Sequence, residues 1–384
     1  MLKGECLKNF LILQEELGKK QSPYQLFHNL LKVIKVSAPA RICFFGDHQD
    51  YLELPVIAGT INRYIKIEGK RVNDNNLFIQ LIDIDDVKVI DLNKKYNNIE
   101  SGDYFLSALE VLKRAGFSFN QGYKIKIYGD IPINAGISSS SALVVAWIRF
   151  LLETQDQKKD VNDEQIGKWA YDAESTFFNQ PGGIMDQYTI AQKGLLYIDT
   201  LTTKTERLNA DIGSLVIAES GLSKQTLTVL QNARAYGQSA ISAVKEKIPN
   251  FNVHEASESE YEEYLHLVPE VYRDHWYATI FNHLLTQKAR KILANGPIDQ
   301  EQLGSLMNAH QKILQERIQN TPAIMQTQLE ESLRAGALGA KIIGSGGGGC
   351  MVAMVTPETC KPVIRSFLKA GVKSAYEIKL TSHL

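Results

Sequence analysis

Gly183-Ile184-Met185-Asp186-Gln187 sets one carboxylate in a glycine-led turn, from which it could reach into a cleft. Upstream runs Gly136-Ile137-Ser138-Ser139-Ser140-Ser141. The glycine lets backbone come close to a phosphate, and the small side chains do not block it. The run leads into a helix predicted from about Ser140 to Glu153, whose N-terminal amides and dipole favour an anion. A serine hydroxyl there could ligate the magnesium that accompanies a nucleotide. Taken alone, the run reads first as a serine-rich helix cap.

Far downstream lies Gly344-Ser345-Gly346-Gly347-Gly348-Gly349. Its letters fit GxGxxG, but a dinucleotide site needs a strand before the motif and a helix after it. Here Cys350 to Val355 reads as a strand, so the run is a hairpin-type loop after Lys341-Ile342-Ile343. So many glycines cost backbone entropy, which predicts close approach to a ligand. There is no GxxxxGK[ST] segment and no HRD catalytic loop, so a nucleotide would need another architecture. A phosphate loop, an isolated acid and a late glycine run, in that order, are what phosphoryl transfer to a small molecule calls for. One carboxylate would take the hydroxyl proton while a cation steadies the developing charge.

Arg41 is a candidate for that cation, because its strand leads into Gly46-Asp47-His48-Gln49-Asp50-Tyr51. Two acids and an imidazole within four residues suit a polyol held by bidentate hydrogen bonds. Individually, Asp47 and Asp50 also fit Asx-turns, and His48 a satisfied surface histidine.

These groups need a frame. The chain has 384 residues, enough for two domains sharing a cleft. Its formal net charge is −1, which argues against a general nucleic-acid surface. Cys6, Cys43, Cys350 and Cys360 lack CxxC spacing and read as reduced thiols of a cytoplasmic protein. The start lacks a signal-peptide core, and no apolar run approaches the roughly 20 residues of a membrane helix. Residues up to about 35 read as an amphipathic helix, with Phe10, Leu11, Leu13 and Leu17 on one side. Strands are predicted at Arg41–Phe45, Tyr64–Glu68, Leu77–Ile82, Val87–Leu92 and Leu195–Ile198. Tyr123–Gly129 alternates most cleanly of all. Asp103 could cap a helix that Gly116 stops, and a further helix carries Glu174 near its end. After a boundary near residue 208, Leu215–Ala218 and Cys350–Val355 bracket several helices, clearest at Val271–Leu293 and Gln302–Ile318. His254 to Glu263 is acidic and reads as a solvated helix face.

Taken together these residues resemble the GHMP kinases, and within them the galactokinases. Ala38-Pro39-Ala40-Arg41 with Gly46 to Tyr51 is similar to the signature APGR followed by GEHTDY. Ile131-Pro132 through Ala142 is similar to the family's second motif, and Ile343 through Cys350 to its third. Gly183 to Gln187 matches the galactokinase form of the catalytic-aspartate motif. Leu306 to His310, with Pro322 downstream, resembles a galactokinase helix.

The resemblance implies an α+β fold, with a ribosomal-S5-like domain over 1–208 and a ferredoxin-like domain over 209–384. The active site would lie between them, and ATP and Mg²⁺ would be used. Asp186 would be the base and Arg41 its electrostatic partner. Ser140 and Glu174 would hold the metal. Asp47, His48, Asp50 and Gly183 would meet the sugar, and Gly136, Ser138, Ser139, Ser140, Gly346 and Gly347 the nucleotide. The expected partner is a small sugar phosphorylated at its anomeric hydroxyl by a monomer or homodimer, with no nucleic acid or membrane. Asp47 stands in place of the family's glutamate, and Gln231-Asn232-Ala233-Arg234 in place of Tyr-Asn-x-Arg, which puts galactose itself in question. Ala40 and Ser141 replace a glycine and an alanine. Other readings stay open: a heptose, uronic acid, mevalonate or homoserine kinase, or a sugar and ATP sensor without turnover.

Overall fold

A computed structural model describes residues 33–132, 136–180, 182–223, 226–294 and 297–381. The predicted N-terminal helix lies outside them, apart from its last residues, and Val33 already belongs to a strand.

The first half is built on a seven-stranded sheet. Its spine is a hairpin of two long strands, β1 (Val33–Phe45) and β2 (Val56–Arg71), paired antiparallel along their length. Around it lie β3 (Asn76–Leu81), β4 (Asp86–Asp91), β5 (Tyr123–Gly129), β6 (Leu195–Ile198) and β7 (Thr205–Arg207). β5 alternates buried and exposed residues as its sequence predicts, and it runs parallel to β3. β1 is longer than the Arg41–Phe45 segment expected, because its outer half is half-solvated and Pro39 sits at a register shift, where a missing donor is tolerated.

Helices α1 (Tyr104–Arg114), α2 (Ser139–Glu153), α3 (Asp163–Glu174) and α4 (Met185–Gln192) join this half. Asp103 caps α1 by accepting the Leu106 amide, as its position predicts. Trp147 of α2 packs edge-on to Phe105, and its indole nitrogen donates to the Phe105 carbonyl.

The sheet changes between Arg207 and Ser214. The second sheet holds β8 (Ser214–Glu219), β9 (Gly339–Ile342), β10 (Cys350–Val355) and β11 (Ser374–Ile378) in the order β11-β8-β10-β9, all antiparallel. Relabelled by chain order, that is 4-1-3-2, the ferredoxin-like arrangement. Five helices fill the long excursion from β8 to β9: α5 (Thr226–Lys247), α6 (Glu258–Tyr264), α7 (Arg273–Ala294), α8 (Gln300–Ile313) and α9 (Ala323–Arg334). The predicted Gln302–Ile318 helix is α8 followed by a π-helical turn, Leu314–Ile318. α10 (Pro357–Lys369) connects β10 to β11 and opens with Thr356 in a capping box.

The halves interlock. Tyr51, Leu52 and Leu54, just past β1, pack with Val244, Trp276 and Ile280 of the second half. Beyond β11 the chain returns to β2, where Leu380 bridges Ile61 and the Thr381 amide donates to the Thr60 carbonyl at 2.8 Å. Among the described residues no helix is long and apolar enough to cross a membrane.

Candidate active site

The serine run turns into α2 through an unusual corner. Gly136 (φ 85°) and Ser138 (φ 60°) are both left-handed, which for a serine costs roughly 1–2 kcal/mol. Ser138 occupies the cap position, yet its hydroxyl makes no capping bond and donates instead to Asp186 Oδ2. The local helix-cap interpretation therefore fails for Ser138. Its strained geometry serves a partner 48 residues away.

Asp186 lies in the first turn of α4, a correction to the glycine-led turn expected from the sequence. That places the carboxylate near the positive end of a helix dipole. Arg41, 3% exposed on β1, grips it with both arms of its fork: Nε to Oδ1 at 2.7 Å and Nη2 to Oδ2 at 2.8 Å. Nη1 donates to the Gly136 carbonyl at 3.0 Å, tying base and phosphate loop together. Burial works against the Arg41 charge, but Asp186 outweighs it and raises the guanidinium pKa.

Asp50 and Gly183 are matched. A Cβ at position 183 would collide with the Asp50 carboxylate, so only glycine leaves room for it. Burial, reinforced by Asp186, pushes the Asp50 carboxyl up from 3.8 to about 7.

Glu174 ends α3 and is buried at the cleft wall. Burial raises its pKa, opposed by hydrogen bonds from Ser140, Gln187 and Ser141. Gln187 Nε2 donates to Glu174 Oε2 at 2.7 Å. Among the described residues no group of three or more His, Cys, Asp or Glu could hold a metal by itself. One carboxylate and one hydroxyl still fit magnesium, which commonly takes one or two carboxylates and fills its shell with phosphate oxygens and water.

His48 has φ 65° and faces both halves of the protein. Its Nδ1 is 2.7 Å from Tyr51 Oη, and its Nε2 is 3.1 Å from the Ser345 carbonyl and 3.0 Å from Asn320 Nδ2, which is itself 3.2 Å from that carbonyl.

Arg41, Asp47, His48, Asp50, Gly136, Ser138, Ser139, Ser140, Glu174, Gly183 and Asp186 all line one cleft of about 300 Å³. Asp47 and the late glycines are held by protein contacts. Asp47 does not offer its carboxylate to the cleft: with its side chain at 0% exposure, Oδ2 pairs with Lys341 Nζ at 2.6 Å and Oδ1 accepts the Gly344 amide at 2.9 Å. Gly346 and Gly347 do not line the cleft, although Gly344 and Ser345 do. Gly347 donates to the Asn320 carbonyl at 2.7 Å, and a Cβ on Gly346 would strike Asn320. The close approach that the glycines predicted is to protein backbone. Gln231 is exposed on α5 and does not line the cleft.

Sequence reasoning missed Lys341, Asn320 and Gln187. A lysine within the apolar run Gly339 to Ile343 was the one available signal, since a buried ammonium needs a partner.

The clamped acid and the strained serine loop meet in a cleft between an S5-like and a ferredoxin-like sheet, the frame of a small-molecule kinase. The chain belongs to the GHMP kinase superfamily: the family's N-terminal domain matches residues 103–194 and its C-terminal domain residues 289–373. Galactokinase from Clostridium acetobutylicum is 27% identical over 358 residues, covering 89% of each chain. Galactokinase from Streptococcus thermophilus is 29% identical and covers 88% of each. Among solved structures, Lactococcus lactis galactokinase complexed with galactose matches with a TM-score of 0.80 at 22% identity, over 93% of this chain and 96% of that one. Methanococcus jannaschii mevalonate kinase shares the fold with a TM-score of 0.69 at 20% identity, over 92% and 99%.

Proposed function

We propose that this protein is an ATP-dependent sugar kinase that phosphorylates a monosaccharide at its anomeric hydroxyl. The observation that carries the reading is the Arg41–Asp186 fork, held against the serine loop by Gly136 and Ser138. It brings a carboxylate and a helix start to one point of the cleft, which supports a proton acceptor beside a phosphate site. The curated galactokinases that match along most of the chain support a sugar as acceptor.

In this reading Asp186 takes the proton of the attacking hydroxyl. Arg41 fixes the carboxylate's orientation and adds positive charge where negative charge accumulates. His48, Asp50 and the Gly183 backbone bind the sugar, and Gly136, Ser138, Ser139 and Ser140 receive the phosphates. Ser140 and Glu174 would hold Mg²⁺, which when bound neutralises phosphate charge. Residues 1–208 and 209–384 form two domains around the cleft, in a cytoplasmic protein.

Incubation of the purified protein with ATP, Mg²⁺ and a panel of hexoses, uronic acids and heptoses, read as ADP release with ³¹P NMR of the product, tests this. The expected result is sugar-dependent ADP and an anomeric phosphate. Absence of sugar-dependent ADP across the panel, or turnover of mevalonate alone, overturns it.

A further inference from the structure

Lys341 has 0% side-chain exposure, on a strand where every neighbour is also buried. An ammonium carries three protons and no acceptor, and here each proton has a partner. Nζ lies 2.6 Å from Asp47 Oδ2, 3.1 Å from the Cys43 carbonyl and 2.7 Å from the Ile342 carbonyl. The second Asp47 oxygen takes the Gly344 amide at 2.9 Å. Every one of these groups sits where a strand gives way to a loop. β1 slips register between Cys43 and Phe45, β9 ends at Ile342, and Gly344 begins the late glycine loop. Three of these four bonds join positions some 300 residues apart, |i−j| being 294 for Lys341–Asp47.

We propose that Lys341 is a positioning residue for the sugar side of the cleft. With Asp47 it latches the Gly344–Ser345 segment onto the tract that carries His48, so that Asp47 serves the loop and the sugar is read by its neighbours. A buried ion pair is a weak source of net stability, because desolvation consumes most of its attraction. Its directional hydrogen bonds nevertheless define one geometry. The geometry defined here continues directly into the site: Ser345, one residue past the latched amide, shares Asn320 with His48 Nε2. His310, fully buried in the same cluster, is held neutral by burial and by the Lys341 charge, its pKa lowered to about 3. It leaves Asp47 as the anion for that lysine. The phosphate loop and Glu174 are not part of the latch, so nucleotide binding should not depend on it.

For its kinetic arm the inference rests on the sugar-kinase reading. Lys341→Met strands a buried carboxylate and could simply unfold the protein. Lys341→Met/Asp47→Asn removes both charges while keeping volume, and it separates folding from positioning. The folded double variant is expected to show a sugar KM raised about tenfold or more, with the ATP KM within twofold of wild type. A folded double variant with both KM values unchanged, or with both raised together, overturns the proposal. Hydrogen exchange on the wild-type protein needs neither turnover nor a foldable variant. The Gly344 amide is expected to be protected like the amides of β9 and β10, and exchange at the rate of exposed loops would sink the latch. If the wild type turned over no sugar, the kinase reading would fall while this exchange result still judged the latch.

Discussion

Arg41 and Asp186 meet fork to fork, with two nearly parallel hydrogen bonds of 2.7 and 2.8 Å and only 4% of the arginine side chain exposed. A third contact, Nη1 to Gly136, reaches back to the serine loop. Lysine keeps the charge but offers a point instead of a planar fork. Arg41→Lys should therefore lower kcat by about a hundredfold or more, with sugar KM changed only a few-fold. Steady-state kinetics on a variant checked for folding by circular dichroism decides this. Near wild-type kcat would show that charge alone is sufficient.

Asp50 gives a pH signature. Its pKa rises from 3.8 to about 7 on folding, through burial first and Asp186 second. The folded state therefore binds the extra proton between about pH 4 and 7. In that window stability falls as pH rises, by on the order of 4 kcal/mol in all. His310 works in the opposite sense: burial lowers its pKa from 6.5 to about 3, so its contribution is lost as pH falls through that range. The two oppose each other in the wild type. Asp50→Asn should unmask the histidine: its melting temperature climbs with pH from 4 to 7 and exceeds that of wild type at pH 8, while sugar binding weakens at least tenfold. A variant less stable than wild type at pH 8 would contradict this assignment.

Gly183 is required by space. An alanine Cβ would lie inside the Asp50 carboxylate, and overpacking of this kind costs about 1–3 kcal/mol. Gly183→Ala should raise the sugar KM at least tenfold through displacement of Asp50, with ATP KM nearly unchanged. Unaltered sugar KM would show that Asp50 does not touch the sugar.

What could be read from sequence was whatever is local. Alternation in Tyr123–Gly129, the Asp103 cap and the strand nature of Cys350–Val355 all depend on near neighbours, and all appear in the fold. α4 escaped because nearly every residue from Met185 to Gln192 is buried. A helix without a polar face has no 3.6-residue pattern to see. Arg41, Asp186 and Asp50, each carried by a short motif, line one cleft. Asp47 went astray because its fate is set by Lys341, a partner 294 residues away that no local rule connects to it. The late glycines read as places of close approach to a ligand. What approaches them is Asn320 and, at Gly348, the Ser223 carbonyl, information that only the tertiary fold contains.

Asp186 as the acceptor of the hydroxyl proton is tested most directly by a single-turnover experiment. Wild type and Asp186→Asn would be mixed with ATP, Mg²⁺ and the accepted sugar and quenched on the millisecond scale, with sugar phosphate measured. An amide keeps the shape and one acceptor oxygen but cannot take the proton. General-base assistance contributes roughly 10²–10⁴-fold, so the chemical step should slow by about 10³-fold while sugar affinity stays within a few-fold. A chemical step within tenfold of wild type would contradict the account, since a loose transition state would then need no base from this residue.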